Sequence, residues 1–226
     1  MLIMEFTVKI LKKENVTHDV IRFRIEKPSG YRYMPGQACD LSINLDGWRD
    51  KKRPFTFTSL NSDHELEFSI KSYKERKSVT NKLRDLKIGD SFIISEPWGA
   101  IHYEGNGVFL AGGAGVTPFI AILRQLRRDG KLKGNTLIFS NKTEKDIILR
   151  NEFEEMAGEG LEFIKVLTRE DKKGFLHGRI NKEFLMRNIK DFSQHFYVCG
   201  PVAFVGEIQH VLQGLGADSE RIVLET

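Results

Sequence analysis

The sequence predicts two domains, an antiparallel β-barrel over residues 1–103 and an α/β domain with a parallel sheet over residues 104–226. Short strand-like runs separated by turn residues crowd the first half, which is typical of a small barrel. After residue 105 strand-like and helix-like runs alternate, which is typical of a parallel sheet with helices on both faces. The 226 residues suffice to bury a core in each domain.

The barrel is predicted from six short strands and one helix. Turn signals such as Pro28-Ser29-Gly30, Pro35-Gly36 and Asp46-Gly47 separate the strands, because proline presets φ and glycine tolerates positive φ. The strands are expected at residues 6–11, 20–25, 40–45, 54–59, 65–70 and 91–95, and the helix is expected at residues 79–86.

The second domain is predicted from five strands and four helices in alternation. The strands are expected at residues 107–111, 136–140, 161–167, 195–199 and 221–224. The helices are expected at residues 118–128, 144–156, 182–186 and 202–213.

The composition, with 40% hydrophobic and 29% charged residues, is ordinary for a soluble globular protein, and we expect a cytoplasmic monomer. The net charge of +4 suits a phosphate ligand or an acidic protein partner, although a solvated basic surface is the commoner reason for it. Cys39 and Cys199 are too few for an iron–sulfur cluster or a four-thiolate zinc site. No stretch has membrane-spanning length, and no nucleic-acid partner is expected.

The histidines indicate neither a metal site nor a catalytic triad. His102, His177, His195 and His210 are scattered, and none stands at ligand spacing from a carboxylate or from another histidine. No bound metal is therefore predicted.

A glycine-rich segment, Gly112-Gly113-Ala114-Gly115-Val116-Thr117-Pro118, follows an apolar run and leads into an amphipathic stretch. In the order strand, glycine loop, helix, backbone N–H groups and a helix N-terminus can converge on a phosphate. Pro118 suits the first helical turn, where a missing N–H costs nothing. The alternative is a turn whose glycines serve only tight packing of strand against helix.

A second motif, Arg53-Pro54-Phe55-Thr56-Phe57-Thr58-Ser59, lies on a predicted barrel strand. Because side chains alternate across a strand, Arg53, Phe55 and Phe57 should share one face. A planar redox ring with a phosphate tail needs a stacking surface, a hydrogen bond to a ring nitrogen and a guanidinium for the tail. The alternative is an amphipathic barrel strand with an exposed arginine.

Four segments, taken in order, resemble motifs of the ferredoxin–NADP⁺ reductase superfamily, and most closely those of small bacterial flavodoxin or ferredoxin reductases. Arg53-Pro54-Phe55-Thr56 resembles the family's Arg-x-Tyr-Ser flavin motif, and Lys77-Ser78-Val79-Thr80 stands where the family has a Gly-x-x-Ser-like phosphate loop. Gly112 to Pro118 resembles its Gly-Gly-x-Gly-x-x-Pro nucleotide loop, and Cys199-Gly200-Pro201 resembles its late Cys-Gly-Pro turn.

The resemblance implies a flavin site in the first domain. Arg53 would bind the flavin's phosphate, Phe55 would contact the isoalloxazine and Thr56 would hydrogen-bond near its N5. Thr80 and the N–H groups of Ser78 and Val79 would hold a diphosphate, since a helix N-terminus favours an anion. Further contacts are predicted from Pro54, Lys77 and the backbone of Ser69, Ile70 and Lys71. Lys77 replaces the family's glycine, and FAD is predicted ahead of FMN.

The resemblance also implies a pyridine-nucleotide site in the second domain. Thr117 and Cys199 would face the nicotinamide; the alternative for Cys199 is a small buried core thiol. Thr168 and Arg169 resemble the Ser-Arg pair that binds the 2′-phosphate of NADPH, whereas Asn141 to Asp146 resembles a stretch of NADH-using relatives. NADPH is predicted ahead of NADH. The predicted contacts are Gly113, Gly115, Thr117, Pro118, Asn141, Lys142, Thr168, Arg169, Cys199, Gly200 and Pro201.

The implied function is a flavin-dependent oxidoreductase that takes hydride from NAD(P)H onto FAD and passes single electrons to an external carrier such as flavodoxin or ferredoxin. Thr56, Cys199 and Glu225 are the predicted catalytic residues; Glu225 matches a carboxylate that the family keeps near the flavin, and the alternative is a frayed terminus. Alternative functions are the reductase component of an oxygenase, a ferric or flavin reductase and, from another class, a non-catalytic nucleotide-binding subunit of a redox complex.

Overall fold

The first half of the protein forms a six-stranded antiparallel sheet, seen in a computed structural model that describes residues 4–73, 78–99 and 101–225. The sheet has the strand order β4-β3-β6-β1-β2-β5. Its elements are β1 (Glu5–Asn15), β2 (Val20–Glu26), β3 (Ala38–Ile43), β4 (Arg53–Thr56), β5 (Glu65–Lys71), α1 (Val79–Lys82) with a 3₁₀ turn (Leu83–Asp85), and β6 (Ser91–Ser95).

The sheet curls into a near-closed barrel around an aromatic core. Just beyond the end of β4, the Thr58 N–H donates to the Glu67 carbonyl on β5 at 2.8 Å, which brings the two edge strands together. Phe57 fills the interior, with its ring centroid 4.2 Å from that of Tyr33 and 5.1 Å from that of Phe68. Phe57 therefore belongs to the core, and burial of such rings is a main source of the barrel's stability.

The second half forms a six-stranded parallel sheet in the order β10-β9-β8-β7-β11-β12, which confirms the predicted fold class. One hydrophobic core packs α2 and α3 on one face of the sheet, and another packs α4 and α5 on the other. The elements are β7 (Gly107–Gly112), α2 (Thr117–Arg128), β8 (Thr136–Asn141), α3 (Arg150–Gly158), β9 (Glu162–Leu167), β10 (Leu176–His177), α4 (Lys182–Asn188), β11 (His195–Cys199), α5 (Val202–Gly214) and β12 (Ile222–Glu225).

The strand order reverses at β7, which has β8 on one side and β11 on the other. Ligands of open α/β sheets bind at such a switch point, outside the carboxyl ends of the strands. The fold therefore places the glycine-rich segment, which directly follows β7, at the expected ligand crevice.

The predicted helix over residues 144–156 is wrong in its first half. Residues 144–146 form a 3₁₀ turn with a capping box between Thr143 and Asp146, and α3 starts only at Arg150. Between them Ile147 and Ile148 are buried in the core, and Leu149 adopts a left-handed φ of 51°. The capping box and the burial of Ile147 and Ile148 therefore prevent a helix over residues 144–149, although the hydrophobic periodicity of the sequence predicts one.

Smaller differences concern the ends of elements. The helix predicted at residues 79–86 is one α-helical turn continued by a 3₁₀ turn, and the two-residue strand β10 was not predicted. Strand β4 ends at Thr56 because the next backbone groups leave β3, with the Thr58 N–H bound to Glu67. Among the helices of the described residues, none has both the length and the apolar character to cross a bilayer.

Candidate active site

The glycine-rich segment forms a 3₁₀ turn, Gly113–Val116, that leads into α2. Gly113 has a φ of +55° and open space where a Cβ would lie. A Cβ on Gly115, in contrast, would lie 2.2 Å from the Cys199 carbonyl oxygen. Of the two interpretations of these glycines, close packing therefore accounts for Gly115, whereas Gly113 leaves room for a ligand at the backbone.

The first turn of α2 is built as predicted. The Thr117 hydroxyl donates to the Ala114 carbonyl at 2.9 Å, which fixes the turn, and Pro118 lies at the start of the helix. Proline is tolerated there because the first N–H groups of a helix have no intrahelical acceptor.

A cavity of about 570 Å³ opens beside this turn, between the barrel and the carboxyl ends of the parallel strands. Its size is within the range of small-molecule and cofactor sites. Its walls are Lys71, Tyr73, Gly112, Gly113, Ala114, Gly115, Ser140, Asn141, Lys142, Asp146, Thr168, Cys199, Gly200, Pro201 and Phe204.

Two buried polar side chains in the predicted cofactor regions have no hydrogen-bond partner. Both amide atoms of Asn141, in the cavity wall, are unpaired, and so is the hydroxyl of Ser69 on β5. Leaving such groups unpaired costs free energy, so unpaired buried groups at a cavity indicate a ligand. The residues present therefore fit a dinucleotide at the cavity and a flavin along β5.

Thr56, Cys199 and Glu225 lie together although they come from β4, β11 and β12. Cys199 and Glu225 are register partners on the neighbouring parallel strands, and Thr56, on the barrel, lies close enough to the Glu225 carboxylate to favour its charged form. The predicted catalytic residues thus lie where the two sheets face each other, at the end of the cavity that Cys199 lines.

Burial shifts the pKa values of the two titratable side chains of this trio, Cys199 and Glu225. Burial raises the pKa of Glu225 above its ordinary value, and the hydrogen bond from Thr56 opposes that shift. Burial, reinforced by the charge of Glu225, raises the pKa of the Cys199 thiol to about 12. Cys199 is therefore a neutral thiol at pH 7 and can contact a ligand without acting as a thiolate nucleophile.

The residues of the predicted flavin strand differ in solvent exposure. Arg53 and Pro54 are exposed, Phe55 is half-buried against the barrel core and Thr56 is buried. Among the residues that the structure describes, Arg53 donates only through its Nη1, to the neighbouring Lys52 carbonyl at 2.7 Å, so the guanidinium retains donors for an anion.

The second predicted phosphate loop is built around a short helix. The Ser78 hydroxyl caps α1 by accepting from the Asn81 N–H at 3.3 Å, and it lies 3.0 Å from the Thr80 hydroxyl oxygen. Since α1 is a single turn, the macrodipole invoked for this loop is small. Lys77 lies outside the described residues.

Four predicted nucleotide contacts lie side by side at the ends of β8 and β9. The Thr168 N–H donates to the Asn141 carbonyl at 2.9 Å, and the Arg169 N–H donates to the Lys142 carbonyl at 2.9 Å. The side chains of Lys142 and Arg169 are exposed, and no carboxylate within the described ranges pairs with either of them.

Several wall residues were not predicted from the sequence. Phe204 packs over Gly112, Tyr73 follows β5, and the Lys71 side chain, for which only a backbone contact was predicted, lines the cavity with its Nζ 2.9 Å from an Asp19 carboxylate oxygen. Phe204 stands three residues after Pro201, close to a recognised motif, and this is the one signal that could have found it.

The structure contains two groups of histidines and carboxylates that the spacing of these residues in the sequence did not indicate. His102 and His195 approach Glu104 at 3.2 and 3.7 Å, and His18, Asp19 and Asp146 bring potential ligand atoms within 4.8 Å of one another. His18 is 59% exposed, and such exposed groups commonly form without a metal.

Comparison with known proteins gives a matching family model for each half of the chain. Residues 7–103 match the family model described as an oxidoreductase FAD-binding domain, and residues 109–210 match that of an oxidoreductase NAD-binding domain. NADH-cytochrome b5 reductase 1 of Aspergillus terreus is 30% identical over 97% of this chain and 81% of its own length.

Solved structures have the same fold. The CS-b5R domains of human Ncb5or in an NAD+ form are 28% identical, with a TM-score of 0.86 over 100% of this chain and 70% of that one. A ferredoxin NADP+ reductase from Neisseria gonorrhoeae with bound FAD and NADP, 22% identical, has a TM-score of 0.86 over 98% of each chain. The chain therefore belongs to the ferredoxin–NADP⁺ reductase superfamily and is an NAD(P)H-dependent flavoprotein reductase.

Proposed function

We propose that this chain transfers hydride from NADPH to bound FAD and passes electrons singly to a separate acidic carrier of the flavodoxin or ferredoxin type. The barrel, residues 1–103, would hold the flavin, and residues 104–226 would hold the nucleotide. The observation that carries the proposal is the meeting of Thr56, Cys199 and Glu225 from both sheets at one end of the nucleotide cavity.

The protein's own residues would bind, orient and exclude water. Bound FAD would supply the redox chemistry, accepting a hydride and releasing electrons one at a time. Thr56, held by Glu225, would keep its hydroxyl aimed at the flavin edge, and the small neutral side chain of Cys199 would let the nicotinamide approach closely. Thr56 and Cys199 are buried and Glu225 is half-buried, which limits the water that would compete with these contacts.

Two features of the sequence support an external electron carrier: the small number of cysteines and the exposed basic residues before the flavin strand. The two cysteines of this sequence are too few for an iron–sulfur cluster, which supports an electron acceptor outside these 226 residues. The segment before the flavin strand exposes three cations, Arg49, Lys51 and Lys52, and one acid, Asp50. Such a basic segment attracts an acidic partner and speeds association at low ionic strength.

The test is anaerobic stopped-flow mixing of the purified protein with NADPH, followed by a panel of flavodoxin, ferredoxin and cytochrome b5. We expect a yellow protein whose flavin is bleached by NADPH and is then reoxidised by flavodoxin or ferredoxin. A colourless protein that ignores added FAD and FMN would end the proposal. Reoxidation by cytochrome b5 alone would show that the proposed acceptor is wrong while the reductase activity stands.

The choice of NADPH rests on the charges around the ends of β8 and β9. Arg169 and Lys142 are cations without a carboxylate partner among the described residues, whereas two nearby acids, Asp146 and Glu170, already accept hydrogen bonds. Asp146 accepts from the Thr143 N–H at 2.8 Å, and Glu170 accepts from the Glu144 N–H at 2.8 Å. An additional phosphate would therefore meet available positive charge, even though the Aspergillus relative is named for NADH.

Replacing Arg169 by Ala is expected to raise the KM for NADPH about tenfold to a hundredfold and to leave the KM for NADH nearly unchanged. The reason is that a charge-assisted hydrogen bond to the 2′-phosphate, worth about 1.5–3 kcal/mol, is lost only for NADPH. Steady-state reduction of ferricyanide with each nucleotide measures both constants. Arg179→Ala, a change of another exposed arginine, is the control. Equal effects on the two nucleotides would show that Arg169 does not select between them.

A further inference from the structure

Helix α2, which begins beside the cavity, places one guanidinium between the two domains further along its length. The Arg124 Nη1 donates to the Thr58 carbonyl at 2.6 Å and to a Glu67 carboxylate oxygen at 2.7 Å, both on the barrel. Its Nε and Nη2 donate to the two carboxylate oxygens of Glu152 on α3, at 2.5 and 2.8 Å. One side chain, 18% exposed, thus binds its own domain and the other at the same time.

Glu67, the barrel partner, is a buried carboxylate, 7% exposed. It also accepts from the Thr58 hydroxyl at 2.9 Å and from the Arg24 Nε at 3.3 Å. Burial alone would raise the pKa of Glu67, but Arg124 and these donors outweigh burial and hold that pKa below its ordinary value. A buried ion pair contributes little net stability compared with apolar packing, so its value here lies in the geometry that it specifies.

This contact joins two segments that carry the proposed chemistry. Arg124 lies seven residues, about two helical turns, after Thr117, the first residue of the helix that follows the glycine-rich turn. The Thr58 carbonyl lies two residues beyond Thr56, which contacts Glu225. Arg124 therefore ties helix α2 directly to the barrel segment that contains Thr56.

We propose that Arg124 is a positioning residue for the reductase reaction: its guanidinium fixes α2 and the glycine-rich turn against the Thr56 segment of the barrel, and so sets the alignment for hydride transfer. This inference rests on the proposed function. Misplacement of reactants by about 1 Å can slow a reaction about a hundredfold, so a loosened contact should affect the rate more than binding.

The experiment compares Arg124→Met and Arg124→Lys with two controls. Glu152→Ala removes only the partner within the same domain, and Arg127→Met removes a neighbouring arginine that pairs with Glu155 and Glu159 of its own domain. The limiting rate of flavin reduction at saturating NADPH should fall about tenfold to a hundredfold in Arg124→Met, with less than a threefold change in the nucleotide's apparent Kd. Both controls should stay within about threefold of the wild-type rate.

Arg124→Lys keeps the positive charge beside Glu67 and so protects the fold, but an ammonium cannot span both domains as the planar fork does. Its rate should lie between those of the wild type and Arg124→Met. Should Arg124→Met fail to fold, Arg124→Lys and Glu152→Ala decide the question. Equal rates in those two variants, or a wild-type rate in Arg124→Lys, would overturn the proposal.

Hydrogen exchange of the flavin-loaded protein without nucleotide gives a readout that does not depend on turnover. We expect faster exchange of amides at residues 58–67 in both Arg124 variants and unchanged exchange in Arg127→Met, because the Arg124 contacts hold this segment against α2. Unchanged exchange in the Arg124 variants would contradict positioning. A wild type that holds no flavin would overturn the proposed function itself, which is a different failure.

Discussion

Gly115→Ala is expected to weaken nucleotide binding and slow flavin reduction, each by about a hundredfold. The new Cβ would lie 2.2 Å from the Cys199 carbonyl oxygen and 2.5 Å from the Gly200 nitrogen. Both are backbone atoms, which cannot rotate away, so the loop or the end of β11 must move by about 1 Å. A displacement of that size at the reacting centre accounts for the loss in rate.

The measurements are the apparent Kd of NADPH and the limiting rate of flavin reduction, together with thermal unfolding. Overpacking of this kind should also lower the free energy of unfolding by about 1–3 kcal/mol. Gly158→Ala is the matched control, because a Cβ there meets nothing within 4 Å. Flavin content should be unchanged in both variants. A Gly115→Ala protein with normal nucleotide affinity would show that this turn does not bind the nucleotide.

The sequence predicted best those parts of the fold that depend on residues close together in the chain. The β7–turn–α2 unit follows from an apolar run, glycines and a proline within about fifteen residues, and the alternation of strands and helices follows from hydrophobic periodicity. The Cys199-Gly200-Pro201 turn, in contrast, was found through its resemblance to the family's late Cys-Gly-Pro turn, and it directly follows β11.

Other features depend on contacts between distant segments, which no local pattern contains. Arg124 and Glu67 are 57 residues apart, and each resembles an ordinary solvated charge in its own segment. The helix predicted at residues 144–156 is absent over residues 144–149 because Ile147 and Ile148 pack into a core formed by residues far away in the chain. The cavity walls contributed by Tyr73 and Phe204 likewise exist only once the domains have packed together.

For the catalytic trio, Thr56, Cys199 and Glu225, the sequence predicted which residues lie together but not their protonation states. The resemblance named Thr56, Cys199 and Glu225 from three separate strands, and the parallel register of β11 with β12 brings the last two together. Their protonation could not be predicted, because it depends on burial at the domain boundary, which raises the pKa of both Cys199 and Glu225. Their roles in catalysis stay predictions until they are tested by substitution.

Cys199→Ala is expected to slow flavin reduction by about tenfold to a thousandfold, while flavin content and folding change little. Cys199 lines the nucleotide cavity and is 7% exposed, and its carbonyl oxygen is the atom against which Gly115 packs. A thiol-to-methyl change removes little volume, so the fold should accommodate it, whereas a contact that orients the nicotinamide would be lost.

The test is stopped-flow reduction under anaerobic NADPH, with Cys39→Ala as the matched control. Cys39 is the same residue type, fully buried in the barrel core, so its substitution should affect stability and leave the reduction rate unchanged. Because the Cys199 thiol has a pKa of about 12, the wild-type rate should show no dependence on its ionisation between pH 6 and 9. A Cys199→Ala protein that reduces its flavin at the wild-type rate would assign Cys199 to the core, with no part in placing the nicotinamide.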